Sequence, residues 1–353
     1  MKRLLLIIIC LCLLLTGCAS SEEEAEGHVT IWYIKGEALE RQLIDECRRI
    51  GEESPGLELE LLAFDSMSLL SAELQGRRPD LLLCSHEMAW TLQEQGMLKK
   101  LSLDGLAYTS SLVSSYTGIG TEFFPIGAAV ELLCSKTECM ESGFEGFLTG
   151  LSDNNQLMTA DSFSRMMSTA LMQLGGELST DRLENAANDK YAYLHNLIAE
   201  TALAGAVAAF DEGGAELLKE GRVEYALVSS TLLTELGEGW NVSPMPTVEG
   251  GKMRCMADMR GFAYLGNTFD NSKATALVLK HLLSAGRGVK LSLKAGLVPA
   301  QVWDGENTDT DLERALFEIY TGWELVLPSP ISGFVQGRQE LESELRAAVG
   351  YLQ

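Results

Sequence analysis

The tightest constraint on the fold lies between residues 29 and 96. Short apolar runs with strand character alternate there with stretches of helical period. Val29-Thr30-Ile31-Trp32-Tyr33 is β-rich. Residues 40–50 then place Leu43, Ile44, Cys47 and Ile50 at helical spacing, and Ser54-Pro55-Gly56 breaks the pattern. Residues 57–64 alternate as a strand, 68–75 read as a helix and 76–79 as a turn. The run DLLLC at 80–84 is apolar without interruption after its first residue. That is the pattern of a parallel strand covered on both faces. Residues 87–95 are helical and Gly96 stops them. The order β-α-β-α-β with short connections predicts a doubly wound α/β unit.

The middle of the chain has a different texture. Helical patterns occupy 162–174, 191–202, 204–210 and 215–220, with one short strand at 156–160. Strands follow at 223–229 and 261–265, with an extended stretch at 240–246 between them. Helices are expected at 271–284, 286–296, 311–320 and 339–351. A chain of 353 residues is long enough for two domains.

The N-terminus is read separately. Lys2 and Arg3 precede an apolar run at residues 4–16, against the ~20 residues a membrane-crossing helix needs. Small residues follow, which is the layout of a secretory signal. Leu15-Thr16-Gly17-Cys18 resembles the bacterial lipobox, in which the cysteine is lipidated after cleavage. The expected organisation is a signal peptide at 1–17, a lipidated Cys18 on the extracytoplasmic face of the cell membrane, and a tether at 18–27. Acyl chains contribute ~0.8 kcal/mol per buried CH₂, so more than one holds a protein firmly.

The formal net charge is −23, and it becomes more negative once Lys2 and Arg3 leave. That argues against nucleic acid or an anionic membrane face as a partner. Beyond Cys10, Cys12 and Cys18, five cysteines remain, an odd number that cannot all pair within the chain. One bridge between Cys134 and Cys139, or buried thiols throughout, both fit. No metal-ligand spacing is present, and His28, His86, His195 and His281 are scattered. A nucleophile elbow, a P-loop and a dinucleotide fingerprint are all missing, so no enzyme and no cofactor is expected.

Several segments together resemble the extracellular solute-binding proteins of ABC importers, the type II periplasmic-binding-protein superfamily that includes the maltodextrin-binding group. VTIWYIKGE matches the first strand and ligand loop. RRPDLLLCSHEMAWTLQEQGMLKKL matches the Pro-Asp strand, polar loop and helix. FFPIGAAVELLCSK matches the first crossover, and KEGRVEYALVSS a strand of the second lobe. MRGFAYLGNTFDNSKATALVLKHLLS matches the return crossover, and the tail after Val326-Leu327-Pro328 the closing segment. The resemblance runs over residues 28–353. It implies two α/β lobes with a ligand cleft between them, crossovers near 125–135 and 257–263, and a monomeric protein. Residues 28–128 and 260–310 would form lobe 1, and 129–259 with 311–353 lobe 2.

Ligands in open α/β sheets sit beyond the carboxyl ends of strands. By that rule Tyr33 is a stacking candidate and Glu37 an acceptor. Asp65 and Ser66 end the second strand, and His86 and Glu87 follow the third. Trp32 fits the core as readily as the cleft. The resemblance adds Phe163 and Arg165 after the strand at 156–160, Ser230 after the strand at 223–229, Arg260 at the return crossover, and Phe334 in the tail. Asp161 and Ser162 are explained as helix caps. Sugar-binding relatives often carry Asn-Gly-aromatic where this chain has Ser229-Ser230-Thr231-Leu232, and their first-crossover glutamate has no clear counterpart in PIGAAVE. The implied function is a lipid-anchored binder of a small polar solute, with a saccharide as the leading class, serving ABC permease subunits. A ligand sensor of the same fold is the alternative, as is a binder of peptide, polyamine or oxyanion.

Overall fold

The computed structural model describes residues 26–36, 38–109, 118–137, 143–175, 188–267, 271–306, 308–327 and 332–350. Cys18, Glu37 and Cys139 lie outside them, so the anchor, that acceptor and the possible bridge have no structural description. Cys134 is buried, and burial pushes its thiol up to about 12.

β1 (Gly27–Ile34), α1 (Glu40–Glu53), β2 (Leu57–Phe64), α2 (Met67–Leu74), β3 (Leu81–Ser85) and α3 (His86–Glu94) follow the expected alternation. β1 pairs in parallel with both β2 and β3. Parallel neighbours need a crossover, and the helices supply it. α1 turns Leu43, Cys47 and Ile50 onto the sheet. Ser66 and Ser85 cap α2 and α3, each accepting from a backbone N–H at 3.3 Å.

β4 (Phe123–Ser135) is buried along its whole length. Then come α4 (Phe144–Asp153), β5 (Met158–Ala160), α5 (Phe163–Gln173), α6 (Asn188–Leu203), α7 (Gly214–Glu220), β6 (Tyr225–Ser229), α8 (Ser230–Leu233), β7 (Asn241–Pro244) and β8 (Arg254–Tyr264). β5 and β6 are parallel. α9 (Ser272–Leu283), α10 (Ala285–Lys294), β9 (Val298–Pro299), α11 (Asp311–Gly322), β10 (Glu324–Val326) and α12 (Ser332–Val349) complete the chain.

The expected helix at 204–210 does not form. Met158 donates its backbone N–H to Ala206 O at 2.9 Å, and Ala208 donates to Met158 O at 3.1 Å, so the alanine run lies along the edge of β5. Alanine favours helix, but an open strand edge and full burial override that propensity.

The strands run in the order β2-β1-β3-β8-β4-β6-β5. Two long antiparallel strands, β4 and β8, stand at the centre and join two lobes. The end of β8 pairs with β3 of the first lobe, and the end of β4 pairs with β6 and β7 of the second. Gly261 is required where they cross, because a Cβ there would lie 2.5 Å from Phe124 O. One apolar cluster packs Val29, Ile31, Leu43, Leu81 and Phe262 in the first lobe. Another packs Phe144, Phe147, Phe163, Met167 and Leu227 in the second. A third runs through both by way of Val130 and Ala257.

Candidate functional site

A cavity of about 1060 Å³ lies between the lobes, at the carboxyl ends of β1, β5 and β6. Ile34, Lys35, Arg41 and Ile44 wall it from the first lobe, with Lys294 at the end of α10. Asp161, Ser162, Arg165, Ser229, Thr231, Leu232 and Glu235 wall it from the second. Its floor is the crossing itself, where β4 contributes Ala129 and Glu131 and β8 contributes Asp258 and Arg260. No aromatic side chain lines it among the described residues.

Each polar group reaches the cavity for a local reason. Strand side chains alternate, so Asp258 and Arg260 share a face of β8. Ser162 caps α5, accepting from Arg165 N–H at 3.2 Å, and this first turn aims Arg165 at the floor. Glu342 of α12 locks the turn, accepting from Ser164 N–H at 2.7 Å and from Ser162 Oγ at 3.1 Å. Asp161 Oδ1 accepts from Gly214 N–H at 2.7 Å and so holds the start of α7. Ser229 lies opposite Glu131 in the β4–β6 ladder.

The floor carries a connected charge network. Arg260 Nη2 donates to Asp258 Oδ2 at 3.0 Å, and Arg165 Nη2 stands 3.6 Å from the same oxygen. Arg165 Nη1 donates to Glu131 Oε1 at 3.3 Å. His86 Nδ1 is 3.7 Å from Asp258 Oδ1. Burial alone would push the Asp258 carboxyl up. His86, Arg260 and Arg165 together outweigh it and hold that carboxyl below the usual carboxylate range. Glu131 behaves oppositely. Burial, aided by the Asp161 and Asp258 charges, outweighs Arg165 and raises its carboxyl to about 7. Burial also raises Asp161, against hydrogen bonds from the Gly214 and Ser229 backbone and the charge of Arg346.

Of the residues expected at the site, Arg165 and Arg260 line the cavity. Other expected contacts take different posts. Tyr33 points into the first lobe's core, 5% exposed, because β1 alternates and its partners are Leu39 and Leu43. Phe163 is fully buried in the second core. Ser230 is fully buried, and its Oγ accepts from Val130 N–H at 3.2 Å, leaving Ser229 and Thr231 at the surface. His86 is buried behind Asp258 rather than open to the cavity. Asp65 is exposed and pairs with Lys35 at 2.5 Å, and Ser66 is spent as a cap. Glu87 pairs with Arg338 at 2.7 Å. Phe334 lies in α12, with its side chain outside the described residues. Trp32 is core, packed on Phe64 at a ring separation of 5.1 Å.

Sequence reasoning missed Glu131, Asp161 and Asp258 as cavity groups. Glu131 lies on the first crossover strand and lines the cavity. The signal was a single carboxylate in an otherwise apolar strand, GAAVELLC.

No family model matches the sequence, and no curated protein matches it. Solved structures do. The maltose-maltodextrin binding protein of Alicyclobacillus acidocaldarius superposes with a TM-score of 0.71 at 14% identity, over 91% of this chain and 95% of that one. A maltodextrin-binding protein from L. casei, without ligand, gives 0.69 at 12% identity over 92% and 93%. The spermidine/putrescine substrate-binding protein of an ABC transporter from Streptococcus pneumoniae gives 0.68 at 13% identity, over 92% and 100%. The chain shares their two-lobed fold.

Proposed function

We propose that the protein is a solute-binding lipoprotein that captures a small polar molecule between its lobes and delivers it to an ABC importer. The observation that carries this reading is the cavity itself. It lies beyond strand ends of both lobes, is floored by the two crossover strands, and is lined by hydrogen-bonding and charged groups. A saccharide is the leading class, since most of the solved structures of this fold named above bind maltodextrins. Those proteins are binders rather than enzymes, and the chain is read the same way. Cys18 would hold it at the membrane surface; the described residues contain no helix long and apolar enough to cross a membrane.

The hinge is the β4–β8 crossing, and solute favours the closed arrangement. A bound solute stabilises the fold by RT ln(1 + [L]/Kd), about 2.7 kcal/mol at a hundredfold excess over Kd. A thermal-shift screen over sugars, oligopeptides, polyamines and oxyanions tests the reading. One chemical class should raise the melting temperature in a saturable way. A chain that turns that solute over instead of releasing it unchanged would contradict it.

A further inference from the structure

We propose that the solute carries a protonated amine, and that this group docks on the second lobe between Glu131 and Asp161. The inference deepens the solute-binding reading and rests on it.

Glu131 is 5% exposed, lines the cavity, and spends only Oε1 on Arg165. Its Oε2 is buried and has no hydrogen-bond partner among the described residues. Asp161 stands at the neighbouring strand end: Oδ1 holds Gly214 N–H, the Ser229 backbone also favours its charged form, and the buried Oδ2 makes no hydrogen bond of ordinary geometry among the described residues. The two carboxylates are near enough to act on each other's charge. Ser229 stands between them, paired with Glu131 in the ladder and bonded through its backbone to Asp161.

A buried acceptor without a donor is costly, and two of them on residues that line one cavity suit a group rich in donors. An ammonium offers three N–H donors and a positive charge, and offsets the cost of two buried carboxylates at once. A neutral hydroxyl offers one donor and leaves the charge uncompensated. Among the described residues no cation is hydrogen-bonded to those two oxygens, and the one further cation acting on Asp161, Arg346, is spent on Glu342 and on the Phe210 and Asp161 carbonyls. Arg165 is already divided between Glu131 Oε1 and Asp258, and Arg260 is paired with Asp258. The first-lobe wall is mixed, with Lys35, Arg41 and Lys294 beside Glu40, and Lys35 is paired with Asp65. It leaves room for the polar or anionic remainder of the solute.

The site has a pH signature. The groups facing Glu131 are Arg165 from α5, Asp161 at the end of β5, Asp258 on β8 and Ser229 on β6. Glu131 titrates near 7 in the empty cleft. An ammonium needs it ionised, so affinity rises from pH 5 towards pH 8, with a limiting slope of about tenfold per pH unit below 7. A hydroxyl can accept from the protonated carboxyl and shows little slope.

The test is calorimetric titration of the full-length chain in detergent with matched probes. Glucosamine is set against glucose, the glucosamine trimer against maltotriose, and spermidine and glycylglycine are run beside them. These arms separate an amino sugar, a polyamine and a zwitterionic peptide as sources of the amine. At least one amine should bind tenfold or more tighter than every neutral sugar, with affinity rising with pH. Glu131→Gln and Asp161→Asn should each weaken it at least tenfold while the far-ultraviolet spectrum stays that of a folded chain. A neutral sugar that equals the amines, failure of every amine to bind, or two variants of unchanged affinity overturns the proposal. Lobe closure around a neutral sugar would overturn it while leaving the solute-binding reading intact.

Discussion

Arg338 Nη2 stands 2.7 Å from Glu87 Oε1, and the pair joins helices of different lobes. Glu87 opens α3, which packs on β3 and β8, whereas Arg338 belongs to α12, packed on α5 and α6. If the lobes part about the crossing as proposed, this bond breaks, so we predict that it acts as a latch apart from the cavity. Partly exposed pairs contribute up to ~1 kcal/mol. Glu87→Gln should weaken solute affinity about two- to fivefold by shifting the free protein towards the open arrangement. Arg338→Gln should do the same, and the double variant should lose no more than either alone. Additive losses in this double-mutant cycle would instead make Glu87 a direct ligand contact, as the sequence suggests.

Glu131 sets a stability cost that varies with pH. Its carboxyl titrates near 7 when folded, against 4.5 ordinarily. The folded state thus holds this proton more tightly than the unfolded chain. Stability falls as pH rises from about 4.5 and levels off above about 7, where the cost is on the order of 3 kcal/mol. Glu131→Gln removes it. The variant without solute should melt several degrees above the parent at pH 8, and the gap should close towards pH 5. Equal melting temperatures at pH 8 would place Glu131 in a solvated setting.

Asp258 is the shared acceptor of Arg165 and Arg260, with His86 behind it. Asp258→Asn leaves two guanidinium groups at the floor with one buried partner fewer. Removing one member of a buried charge network costs about 3–5 kcal/mol. Urea unfolding at pH 7 should show a loss of at least 2 kcal/mol, discounted because the arginines keep some access to water. Because the Asp258 carboxyl is held below its ordinary range, its contribution is present above about pH 4 and lost as pH falls further. The deficit of the variant should shrink in acid.

Much of the framework was legible because periodicity carries it. DLLLC reads as a covered parallel strand, and it lies between β1 and the crossover strand β8. The alanine run at 204–210 misled because intrinsic propensity has no knowledge of an open strand edge. The site was less legible than the fold. Strand-end position placed Tyr33, Phe163 and Ser230 near the cleft, but which side of the pleat or helical turn faces inward is decided by packing. Tyr33 and Ile34 differ by one residue and point to opposite sides. Glu131 and Asp258 sit mid-strand, outside the rule that favours loops, and a lone carboxylate in an apolar strand was their only mark.

The anchor is tested independently of the cleft. Cys18→Ala should move the protein from the membrane fraction to the soluble one and abolish acyl labelling. A variant that stays with the membrane would contradict the lipobox reading.

The central claim, closure of two lobes about the β4–β8 crossing on a solute, is tested most directly by contrast-matched neutron scattering of the detergent-solubilised chain. The radius of gyration is measured alone and at saturation with the solute selected by thermal shift. The account predicts a smaller radius in the bound state, reached at the concentration that saturates binding. An unchanged radius at full saturation would contradict it.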